Sequence, residues 1–122
     1  MTGTELYDEE IFIPSFEKAK EIKNMLERPI GFICISSQGH IVKLLQQYDS
    51  SIFTAEPEEL PAQWGFYWSK DPSKARPFIK LSTSPYQMDD CCIFNNKIYK
   101  SLLDNNVWSP EELTSAWEEV II

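Results

Sequence analysis

Apolar positions along residues 15–28 recur three and four apart. Phe16, Ala19, Ile22 and Leu26, with Met25 beside them, mark one face of a helix. Ser15 suits the cap, Glu17 the first turn and Arg28 the end, with Pro29 as a stop. The run "IGFICIS" (30–36) is short and β-branched and reads as a buried strand. Ser37-Gln38-Gly39-His40 is turn-like, and "IVKLLQQY" fits a return strand or a second helix, strand being the expectation. Trp64, Phe66 and Trp68 alternate, which puts all three on one face of a strand. Such a stripe is usually core, and a binding platform is the lesser option. "FIKLSTS" (78–84) is a further expected strand.

The most local signal lies at Asn95-Asn96, between two β-prone runs. A two-residue type I′ turn needs positive φ at both central positions, which Asn tolerates better than any residue but Gly. That turn predicts a register in which Phe94 faces Lys97, Ile93 faces Ile98 and Cys92 faces Tyr99. Both faces are then partly apolar, so each should be covered. Further on, "SPEEL" carries a capping box: Ser109 as cap, Pro110 at the first helical position and Glu112 reaching back. Helix or irregular loop is the open question there.

Length and composition narrow the class. The 122 residues suit one domain, or a domain with a small appended module. A 43% hydrophobic and 13% aromatic content suits a folded core. The expected class is α+β: an N-terminal helix on a short sheet, then a small antiparallel β module. The acidic, proline-containing stretch "TAEPEELPAQ" (54–63) is the best candidate for an internal boundary. The expected division is 1–60 as a helix–strand region, 61–76 as a connector and 77–122 as the β module.

The net charge of −8 disfavours partners that are themselves anionic, nucleic acid and acidic membrane surfaces alike. No apolar run approaches the roughly 20 residues needed to span a bilayer. The opening "MTGTELYDEEIF" is acidic, unlike a secretory signal, so the expected site of synthesis is a reducing cytoplasm. Cys34, Cys91 and Cys92 are odd in number, and two are adjacent, which argues against a disulfide framework.

Candidate chemistry is sparse. His40 is the only histidine, and Cys91-Cys92 lacks the gap that lets paired thiolates chelate zinc, so no metal or cofactor is expected. No motif surrounds a cysteine that would make it a nucleophile, and with four glycines the chain has no phosphate loop. Asp89-Asp90 and Glu111-Glu112 sit at turn and cap positions. An enzyme is not the expectation.

Tyr86, Asp90, Phe94-Asn95, Tyr99, Trp108, Pro110 and Trp117 together form a long aromatic-rich pattern. It resembles the chitin-binding type 3 modules of bacterial chitinases and cellulases, in the form found in bacteriophage tail and baseplate proteins. The likeness covers about residues 77–120. It departs where the family has Gly, Val and Gly, and this chain has Asp89, Cys92 and Asn96. The resemblance implies a small β unit in which the Trp of W-x-P, Trp108 here, stacks on a glycan. An indole face matches the C–H face of a pyranose, and the amides of Asn105 and Asn106 could bond hydroxyls at the ring edge. A core or interface tryptophan and a protein contact within an assembly stand as the other readings of Trp108. Trp117 is expected to pack.

The function implied is a non-enzymatic phage tail or baseplate accessory protein, carried in the virion. It would dock to other tail proteins or to cell-surface polysaccharide, as a homo-oligomer or part of a multi-copy assembly. The alternative is an acidic cytoplasmic inhibitor that blocks a basic protein partner.

Overall fold

A computed structural model describes all residues 1–122. In chain order the elements are helices α1 (Gly3–Asp8) and α2 (Phe16–Ile22), then strands β1 (Ile33–Ile35), β2 (Ile41–Leu44) and β3 (Trp64–Phe66). Strands β4 (Arg76–Pro77), β5 (Cys91–Phe94), β6 (Lys97–Ser101) and β7 (Trp117–Val120) follow. The class is α+β, and the chain divides into two units. One is Glu9–Tyr67; the other joins Met1–Asp8 to Trp68–Ile122.

The Glu9–Tyr67 unit carries an antiparallel sheet in the order β1-β2-β3. Cys34 lies opposite Val42, and Val42 opposite Phe66. "IVKLLQQY" is therefore the return strand, over its first four residues. Ser15 caps α2 as expected, its hydroxyl accepting from the Lys18 amide at 3.2 Å. Phe16 and Ala19 point into the core with Met25, Cys34, Ile41, Leu44 and Trp64. Trp64 meets Phe16 edge to face at 5.7 Å and donates its indole N–H to Tyr48 Oη at 3.0 Å.

The helix is shorter than the apolar spacing predicts. Lys23 is extended, and Asn24 caps a new single turn over Met25–Glu27, its side chain accepting from the Leu26 and Ser50 amides. This side-chain competition with the helical hydrogen bonds is the ordinary way an Asn ends a helix. The break turns Met25 inward and leaves Ile22 (78% exposed) and Leu26 outside, so the expected stripe holds only in part. Arg28 reaches back to the Ala19 carbonyl at 2.9 Å, close to the new end.

The other unit holds a four-stranded sheet in the order β4-β5-β6-β7, antiparallel except for the β4–β5 pair. Asn95 and Asn96 have φ of 51° and 61°, and the hairpin register is the expected one, residue for residue. Its core is an aromatic pile. Tyr86 lies between Trp68 (centroids 4.2 Å apart) and Phe78 (5.5 Å), with Trp117 edge-on at 5.3 Å. Burial pushes the Tyr86 phenol well above its usual range.

Two expectations are corrected here. "FIKLSTS" is not a strand: β4 ends at Pro77, and beyond it only the Phe78 amide still bonds the sheet, to the Ile93 carbonyl. Its apolar residues serve anchoring, Phe78 on Tyr86 and Leu81 in the core. The division also falls elsewhere. The expected connector (61–76) contains β3, the change of unit comes between Tyr67 and Trp68, and the acidic 54–63 stretch belongs wholly to the first unit. Trp64, Phe66 and Trp68 are all buried, but Trp68 packs in the second unit.

Candidate binding site at Trp108

The segment between β6 and β7 would be a slack loop were it not for Asn106. That side chain is fully buried. Its Nδ2 donates to Ser101 Oγ at 2.9 Å and to the Ala116 carbonyl at 3.2 Å, and its Oδ1 accepts from the Trp108 amide. Its backbone exchanges both hydrogen bonds with Tyr86. A buried amide with every strong bond satisfied fixes a loop firmly, because breaking it leaves polar groups stranded.

The backbone of Trp108 is consequently held on both sides. Its N–H goes to Asn106, and its carbonyl accepts the Trp117 indole N–H at 2.8 Å. The side chain then projects outward, 42% exposed, while the other three tryptophans are at 7% or less. Trp64, Trp68 and Trp117 each donate the indole N–H to an acceptor within the chain. The Trp108 indole N–H donates to none.

Beside this loop, Asn105 sits in the left-handed region (φ 54°) and is exposed. It clasps Gln87 by two bonds, Asn105 N to Gln87 Oε1 at 3.0 Å and Gln87 Nε2 to Asn105 Oδ1 at 3.3 Å. The Asn105 Nδ2 donates to no group in the chain, and the residue is exposed. Asp104 accepts from the Met88 amide at 3.0 Å, and Met88 and Leu103 are among the exposed apolar side chains.

Of the three residues singled out in the sequence, Trp108 and Asn105 are thus available to a ligand and Asn106 is not. Asn106 is a correction: all of its side-chain bonding is turned inward, so it positions the loop and touches nothing outside. Trp117 packs, as expected. "SPEEL" forms the box without a helix. Ser109 Oγ accepts from the Glu112 amide (3.1 Å) and Glu112 Oε1 accepts from the Ser109 amide (3.0 Å). One i to i+4 bond, Leu113 to Ser109, closes a single turn before the chain moves on to β7. These bonds and Lys80 hold the Glu112 carboxyl below its ordinary value.

A second polar cluster escaped sequence reading. In the first unit His40, fully buried, meets Glu58 through Nδ1 at 2.6 Å, and Ser36 Oγ donates to the same carboxylate oxygen at 2.5 Å. The trio is not arranged for nucleophilic catalysis, since the hydroxyl gives its proton to the carboxylate and not to the ring. Eighteen residues separate His40 from Glu58, and no spacing rule connects them. The cysteines are buried as well. Burial pushes the Cys34 thiol up to about 12 and Cys91 to about 11, far from the range of a reactive thiolate.

Comparison of the chain with protein-family models, with curated proteins and with solved structures finds no match.

Proposed function

We propose that this chain is a non-enzymatic attachment protein that docks through the outward indole of Trp108, as an accessory component of a phage tail or baseplate. One observation carries the docking site. Trp108 alone among the four tryptophans is exposed and donates its indole N–H to no group in the chain, on a backbone pinned at both its amide and its carbonyl. A rigid, pre-placed aromatic loses little entropy on binding. A flat exposed indole on the same loop as the exposed Asn105 amide suits a pyranose ring whose hydroxyls lie at its edge.

The tail setting rests on the resemblance of residues 77–120 to phage-borne chitin-binding type 3 modules. It is supported by the way the pattern's residues divide in this fold: Tyr86, Asp90 and Trp117 inside, Trp108 outside. A single stacked ring gives about millimolar affinity, near −4 kcal/mol. Linked copies in an assembly gain roughly 10² to 10⁴ in avidity, which makes weak sugar contacts sufficient for adhesion.

The test is retention on polysaccharide arrays and cell-wall preparations by wild type and Trp108→Ala, both displayed as multimers. Wild type should be retained and the variant lost, with the thermal midpoint almost unchanged. Equal retention of both, or of neither, removes the glycan role. A salt-dependent complex with a basic protein, indifferent to Trp108→Ala, would favour the acidic-inhibitor alternative.

A further inference from the structure

The loop between β1 and β2 is gripped by the acidic stretch 54–63, and four hydrogen bonds to carboxylates join the two. Glu56 Oε1 accepts from the Ser37 amide at 2.9 Å and from Ser37 Oγ at 3.0 Å. Glu58 Oε2 accepts from Ser36 Oγ at 2.5 Å and meets His40 Nδ1 at 2.6 Å. The geometry points to an acid-labile latch: lowering the pH releases the 54–63 stretch from the β1–β2 loop while the Trp108 unit stays folded.

The chemistry of the clamp favours this. Charged acceptors make the stronger bonds, roughly twice as strong as neutral ones, and that advantage disappears on protonation. Glu58 Oε1 is buried without any hydrogen-bond partner, so the carboxylate's burial is only half compensated. The titratable groups facing the cluster are His40 on the loop, Cys34 from β1 and Glu56 from the same stretch as Glu58. Arg28 acts on Cys34, and Tyr48 on both Cys34 and Glu56.

The direction of the pH effect follows from Glu58. Burial raises its carboxyl, but the bonds from His40 and Ser36 outweigh that, and the net is a value below the ordinary 4.5. A group depressed by folding contributes stability that is present above its unfolded value and is lost as pH falls through the folded one. Opening therefore sets in below about pH 4.5, steepening by up to about tenfold per pH unit for one proton.

Hydrogen exchange of the full chain between pH 7 and 3, corrected for intrinsic rates, reads this out. Protection of the Ser37 and His40 amides should fall below pH 4.5, while the Asn106 and Trp108 amides keep theirs. Glu58→Gln should expose the Ser37 and His40 amides already at pH 7 and flatten the profile. If that variant does not fold, Glu56→Gln keeps the test alive by weakening Ser37 alone. Unchanged Ser37 and His40 protection down to pH 3, or simultaneous loss at Ser37 and Asn106, overturns the latch.

Discussion

Two loops in this molecule perform the same task with different chemistry. The β1–β2 loop, Ser36–His40, is secured by the carboxylates of Glu56 and Glu58. The Leu102–Trp108 loop is secured by the neutral amide of Asn106. A carboxylate clamp is strong but titrates; an amide clamp holds at any ordinary pH because it carries no charge. The bonds that pin the Trp108 backbone itself are thus uncharged, although carboxylates act beside them, Asp104 accepting from the Met88 amide and Glu112 from the Ser109 amide. That contrast is what a docking surface requires, since its aromatic anchor must stay aimed whatever the surroundings.

The sharpest way to break the comparison is Asn106→Ala. It strands the Trp108 amide and takes one bond each from Ser101 Oγ and the Ala116 carbonyl, which keep Leu103 and Leu102 as partners, with an expected loss of about 2–3 kcal/mol. Urea denaturation measures it, and the loss should be the same at pH 5 and pH 7. A pH-dependent penalty would mean the amide clamp leans on a titrating neighbour. Next in size is Asn96→Val, which puts a β-branched residue at φ 61° in the hairpin turn. It should cost about 1–2 kcal/mol, whereas Asn96→Gly should stay near wild type or rise slightly. If Val is tolerated, the hairpin is held by its neighbours and not by its turn.

The smallest effect is expected at Ile22. A residue in a continuous apolar stripe costs about 2–4 kcal/mol when removed, but Ile22 lies outside the core, and Ile22→Ser should change stability by no more than about 0.5 kcal/mol. A larger loss in thermal unfolding would show that the helix end is buried in solution.

What could be read from the chain was what neighbours in sequence decide. The Asn95-Asn96 turn imposes its own φ values, so the hairpin and its register were legible down to each pair. The Ser15 cap and the Ser109–Glu112 box are contacts across three residues, and both are present. The α+β class follows from patterns of the same range. Asn24 marks the limit: it reads equally well as a helix residue, and its local cap on the Leu26 amide is joined by bonds to the distant Asp49 and Ser50.

Tertiary structure decided the rest, because burial is a property of whatever arrives from far along the chain. Asn105 and Asn106 are the same residue type one position apart, yet the first faces solvent and the second is sealed. That difference depends on Tyr86, Ser101 and Ala116 converging on the second. The pairing of His40 with Glu58 likewise depends on how the chain returns, and no local pattern encodes it. Sequence alone set the turns, the caps and the alternation of strands, whose energies are spent within a few residues. Which polar side chains hold the fold, and which tryptophan is left facing outward, is settled only when distant segments compete for the same buried space.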